Sequence, residues 1–264
     1  MSLFKDMCND IKIDEKETEN NDYEYIRVEE EADDHITVFD SMEGEVDSKR
    51  YTIRNPEYMD KDYFRSIVDF SDRTDAYRKE MPIDKEKVVE YLDGHMDKNM
   101  LMTVDRILFV TGDEEDDDRI FRNERVAEGA FEAGHWLPDK DQVGLTWWDY
   151  DIVCINLKGI REGVDECVNT YRLDKDGERD EINIGVLTTL VHEVRHTAQD
   201  NPYLPEKFFG AVSMDKEKDA EQYARDWVER HPFDILLSKE KKRGKGKPDG
   251  RTPPRKKDGK SMDM

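Results

Sequence analysis

One stretch, LTTLVHEVRHTAQD from Leu187 to Asp200, constrains the fold more than any other. Periodicity predicts a helix from about Ile184 to Gln199, and Ile184, Val186, Leu187, Leu190, Val191 and Val194 give it the character of a buried one. At least part of this helix must therefore lie in a core. Yet it also carries two imidazoles and a carboxylate. Residues four apart lie about one turn apart on the same helix face, so His192 and His196 project side by side, within reach of one ion. Leu190, Val191 and Val194 flank them and would help exclude water.

Zn²⁺ held by two imidazoles needs a third protein ligand and keeps a fourth position for water. Glu193 points off at an angle to the histidine pair, where it could accept a proton from that water. This is the mechanical content of H-E-x-x-H. With six histidines in 264 residues, chance supplies on the order of 0.01 such matches. The competing reading is an ordinary helix bearing two half-buried histidines, and a third ligand separates the two. The segment EKDAEQYARDW, Glu217 to Trp227, offers one. A helix from about Lys216 to Glu229 lines up Ala220, Tyr223, Ala224 and Trp227 as an apolar seam, with small alanines that allow close helix–helix approach. Glu217 lies at the edge of that seam and is the best placed ligand. Glu221 and Asp219 remain alternatives, and Glu221 could instead orient a histidine as its acceptor.

Composition bounds the rest. Charged residues make up 41% and hydrophobic ones 36%, so long parts of the chain are solvated surface. The net charge is −23, but residues 238–264 hold 11 Lys/Arg against 4 Asp/Glu, a balance of +7 that leaves about −30 on the rest. Such an acidic body argues against nonspecific duplex binding; only the basic tail could contact nucleic acid or an anionic surface. Cys8, Cys154 and Cys167 are widely spaced with no C-x-x-C pair, which suits a reducing compartment. No apolar run approaches a membrane span or a signal peptide, so the expectation is a cytoplasmic protein.

Along the chain, residues 1–62 form an acidic arm in which YEYIRV, HITVFD and YTIR could pair as strands; the alternative is partial disorder. The core begins near residue 63. A helix is expected over Asp84 to Met102, capped by Asp84, then a buried strand in RILFVTG, an acidic turn in DEEDDD and a second helix over Asp118 to Ala133. GLTWW and DIVCINL read as a hairpin whose second strand is central, and LDKDGERD reads as a turn. After the helix pair comes FDILL, and residues 238–264 read as a disordered basic tail.

VHEVRHTAQ followed by EKDAEQYA resembles the zincin metallopeptidases of the gluzincin type, and in particular the compact ImmA/IrrE-type peptidases of mobile elements. Their ligand helix carries a similar Glu-x-x-Ala-x-x-aromatic-Ala pattern. The resemblance implies an α+β, minimal zincin-like domain over residues 63–237, a small mixed sheet packed on an active-site helix and a ligand helix, with flexible termini. It implies Zn²⁺ on His192, His196 and Glu217, Glu193 as general base, and a protein or peptide substrate. Arg195 stands where the family often has glycine, and no H-x-x-G-x-x-H extension follows. An oxyanion-stabilising group is also needed; Tyr203, Tyr223, His231, Arg195 and His135 are candidates by type. The alternative function is a catalytically silent zinc fold acting as a regulatory or interaction protein through its charged ends.

Overall fold

A computed structural model describes residues 15–17, 23–42, 49–111, 142–147, 152–199, 215–231 and 236; in them the chain forms six α-helices and two four-stranded sheets, a mixed α and β fold. The first sheet is an antiparallel meander of β1 (Glu15–Glu17), β2 (Tyr23–Glu31), β3 (His35–Met42) and β4 (Lys49–Arg54). Its register pairs Val28 with Val38 and Val38 with Tyr51, so the alternating pieces of the acidic arm do form strands. Ile36 and Ile53 face each other across β3 and β4, and both are fully buried in the same apolar cluster as the rest of the chain.

The second sheet has the order β5 (Val68–Phe70), β6 (Arg106–Val110), β8 (Ile152–Asn156), β7 (Gly144–Trp147). The first three are parallel, and β7 closes the row antiparallel to β8, with Leu145 opposite Cys154. Every residue of β8 is buried, as expected of a nearly all-apolar central strand. Asn156 at its end caps α4 (Leu157–Tyr171) by accepting from the Lys158 and Gly159 amides. The same side chain donates to the Gln142 carbonyl at 2.7 Å, and its amide donates to Val143, which pins the approach to β7. Gly159 permits this, because a Cβ there would stand 2.9 Å from the Gln142 carbonyl oxygen.

Two boundaries differ from expectation. The helix begun by Asp84, α3 (Lys85–Gly94), stops well short of Met102, because Asp97 takes the Asn99 amide and starts a separate 3₁₀ turn, Lys98–Leu101. LDKDGERD is no turn. Asp174 accepts from the Gly177 amide and opens α5 (Lys175–Gln199), with Asp176 and Glu178 favoured by the positive end of the helix. The two short helices α1 (Lys61–Ile67) and α2 (Thr74–Tyr77) precede α3.

Helix α5 packs against β7 and β8, between α4 and α6 (Lys216–Arg230). Val186, Leu187, Leu190, Val191, Val194 and Ala198 are all at most 1% exposed; Ile184 alone of the expected set faces outward, at 39%. Each such aliphatic contributes about 1.5–3 kcal/mol relative to exposure. Burial, rather than propensity, is what holds a helix so rich in valine and threonine. α6 meets α5 through Ala220 and Ala224, both fully buried, and Trp227 donates to the Tyr91 hydroxyl of α3 at 2.6 Å. The helix expected over 118–133, the acidic turn before it, the basic tail and FDILL other than Leu236 lie outside the described residues. Among those described, no helix is long and apolar enough to cross a membrane.

Candidate metal centre

His192 and His196 leave α5 on one face with their Nε2 atoms 3.0 Å apart. Glu217, in the first turn of α6, brings Oε1 to 3.1 Å from His192 Nε2 and Oε2 to 3.2 Å from His196 Nε2. Among the described residues these three side chains form the group whose ligand atoms lie within 4.8 Å of one another. The α6 N-terminus is fixed by Asp215, which accepts from the Lys218 amide, and the helix dipole there favours a carboxylate.

The proton positions follow from the neighbours. Gln199 Nε2 stands 2.6 Å from Asp219 Oδ2 and 3.0 Å from the Lys216 carbonyl, two acceptors, so the amide nitrogen must face them. Its Oε1 then faces His196 Nδ1 at 2.9 Å, and only an Nδ1–H can complete that bond. In the neutral ring, His196 Nε2 is then the lone-pair nitrogen, aimed at the Glu217 carboxylate and at His192. Burial, and next the neighbouring His196, hold the His192 imidazole below its ordinary pKa, which favours the neutral ring a metal requires. With the Nε2 of both rings unprotonated, three lone-pair groups converge on one point, an arrangement that a shared cation relieves. Zn²⁺ takes such ligands at about 2.0–2.2 Å, which sets neighbouring ligand atoms about 3–3.5 Å apart; the residues present fit.

Glu193 reaches toward β7 within the same cleft. It is 6% exposed, and burial pushes its carboxyl up to about 7 even though a hydrogen bond from Thr146 lowers it. Thr146 Oγ1 lies 2.7 Å from Glu193 Oε2 and 2.8 Å from the Glu193 carbonyl. A hydroxyl has one proton and two lone pairs, so it can serve both states of the acid. It donates to the carboxylate when Glu193 is ionised. When Glu193 is protonated, it accepts from the acid and donates to the carbonyl. Gly144, two residues before Thr146 and on the same strand face, makes room: a Cβ there would sit 2.5 Å from Glu193 Oε1.

These groups line a cleft of about 630 Å³. Residues 142–146 form one wall; Thr188, Thr189, His192, Glu193 and His196 line it from α5; Lys216 and Glu217 close it from α6. The other anticipated residues that are described do not line it. Arg195 is 1% exposed, donates to Asp219 at 2.7 Å and lies over the Tyr223 ring, while His231 stacks on Trp227. Glu221 pairs with Arg225 one turn along rather than orienting a histidine; Gln199 does that instead. Tyr203 and His135 fall outside the described residues. Sequence reasoning missed Thr146, Gly144, Gln199 and the role of Asp219. No protein-family model, curated protein or solved structure matches this chain.

Proposed function

We propose that the chain is a zinc-dependent metallopeptidase in which Glu193 is the general base for attack of water on a peptide carbonyl. The observation that carries this reading is the convergence of His192, His196 and Glu217 in the lining of one cleft, with the buried Glu193 lining it as well. A zinc ion on those three ligands supplies Lewis acidity at its open position, polarising a carbonyl oxygen and making a water more acidic.

The rest is the work of the chain. Glu193, held near neutrality by burial, takes a proton from the attacking water and returns it to the leaving amine nitrogen. Thr146 keeps the carboxyl in place through both transfers by reversing its own hydrogen bond. β7 is the last strand of its sheet among the described residues, and residues 142–146 line the cleft, so an extended peptide can lie alongside them.

Metal analysis of the purified protein tests the first half. One zinc per chain is expected in the wild type, and none in His196→Ala or Glu217→Ala; equal zinc in all three ends the reading. Cleavage of an unstructured protein such as casein tests the second half. Glu193→Gln should retain zinc and lose turnover by roughly 10²–10⁴-fold.

A further inference from the structure

Glu217 is 72% exposed, so the packing of its own side chain does not place it on the histidines. Nor does the seam behind it by itself, because Ala220 and Ala224, with Tyr223, Trp227 and Val228 half-buried beside them, pack through apolar contacts that are non-directional. Shielded directional bonds to α5 come from Asp219: its Oδ2 accepts from Arg195 Nε at 2.7 Å and from Gln199 Nε2 at 2.6 Å, both on α5. Gln199 Nε2 also reaches the Lys216 carbonyl at the start of α6, and its Oε1 receives His196 Nδ1–H.

We infer that Asp219 and Gln199 are positioning residues for the metal centre. The chain Arg195–Asp219–Gln199–His196 sets the register of α6 on α5, and with it the height of Glu217. The same chain fixes the tautomer and ring plane of His196, so that its Nε2 is the ligating atom. Gln199 touches no ligand position, yet it is bonded to both helices that supply ligands. Replacing its amide releases His196 from the Nδ1–H form and loosens the first turn of α6 together.

The inference rests on the zinc reading for one of its two tests and is independent of it for the other. In the full-length chain, zinc affinity measured by chelator competition should weaken about 10- to 100-fold in Gln199→Leu and Gln199→Ala. In the metal-free protein, ¹⁵N spectra of the His196 ring should show the Nδ1–H tautomer in the wild type and a mixture in both variants, with amide changes confined to the C-terminal turn of α5 and the first turn of α6. Affinity within about twofold of wild type overturns the inference, and so does a His196 that stays Nδ1–H in the variants. A wild type that takes up no zinc would sink the metallopeptidase reading instead, and the ring spectra would still decide the role of Gln199.

Discussion

Helices α5 and α6 both bring groups to the candidate metal centre, and they are held by opposite means. α5 is wedged between two strands and two helices, with six aliphatic or small side chains at most 1% exposed, so its histidines and Glu193 inherit the rigidity of the core. α6 fully buries only Ala220 and Ala224, packs Tyr223, Trp227 and Val228 half-buried against the core, and holds Glu217 in solvent. The core-built half decides where the site is. The surface-built half decides whether it closes, and there a few polar bonds replace the missing packing.

The largest effect should come from breaking that replacement. Asp219→Leu removes the carboxylate that accepts from the Arg195 guanidinium, itself 1% exposed, and a one-sided deletion of a buried pair costs up to about 3–5 kcal/mol. That would match the loss of about 2–5 kcal/mol for Leu190→Ala in the core of α5. Burial raises the Asp219 carboxyl, but the Arg195 and Gln199 bonds outweigh it and hold the group below its ordinary range, as a working ion pair requires. Removing both partners in Arg195→Met with Asp219→Leu should recover most of the loss. Urea denaturation of the four proteins checks this. A single-variant cost under about 1 kcal/mol would mean that the alanine seam holds α6 unaided.

The second prediction concerns the core-built half. Burial raises Glu193 to about 7 in the folded chain, above its value in an unfolded one. The folded protein therefore keeps a proton that the unfolded chain releases. The stability this group contributes is fully present below the unfolded value and is lost as pH rises through about 7, by up to about 3 kcal/mol. In metal-free protein, the stability difference between Glu193→Gln and wild type should widen in favour of the variant from pH 5 to pH 8. A difference flat with pH would place Glu193 in a wetter setting than its 6% exposure implies.

The same division explains how much was legible in the residues. The histidine pair and Glu193 follow from spacing on one helix, and the hairpin of β7 and β8 follows from an apolar run beside a glycine-led strand. Glu217 was reachable because a seam of Ala220, Tyr223, Ala224 and Trp227 marks which face of α6 turns inward. Gln199 carried a signal too, lying three residues past His196 on the same face, where an amide can meet the ring. Asp219 did not, because its partners depend on how two helices are registered, and periodicity says nothing about sliding. Thr146 and Gly144 share a strand face at spacing two, but what opposes that face lies 47 residues away in sequence. Arg195 reads as a reactive cation in one dimension; only burial shows that it is spent on Asp219.

A smaller effect is expected where the two halves of the cleft touch. Gly144→Ala puts a methyl group 2.5 Å from Glu193 Oε1 and 2.7 Å from Thr189 Cγ2. Overpacking of this kind costs about 1–3 kcal/mol. The carboxyl must swing off Thr146, so turnover should fall much more than zinc affinity does. Parallel losses in both would show that β7 supports the histidines as well as the base.

The smallest effect on stability belongs to the residue with the largest effect on metal. In metal-free protein Glu217→Ala removes a carboxylate that is 72% exposed, so its contacts with His192 and His196 are screened by solvent and little stabilisation is lost. The change in unfolding free energy should stay within about 0.5 kcal/mol, in the range of ordinary surface substitutions. With zinc present the wild type should gain RT ln(1 + [Zn]/Kd) and the variant should gain almost nothing. Thermal melts with and without zinc would therefore separate by several degrees in one protein and coincide in the other. Should Glu217→Ala instead destabilise the metal-free chain as strongly as Asp219→Leu, the carboxylate would be part of the helix contact itself, and the contrast between a core-held and a surface-held half of the site would fail.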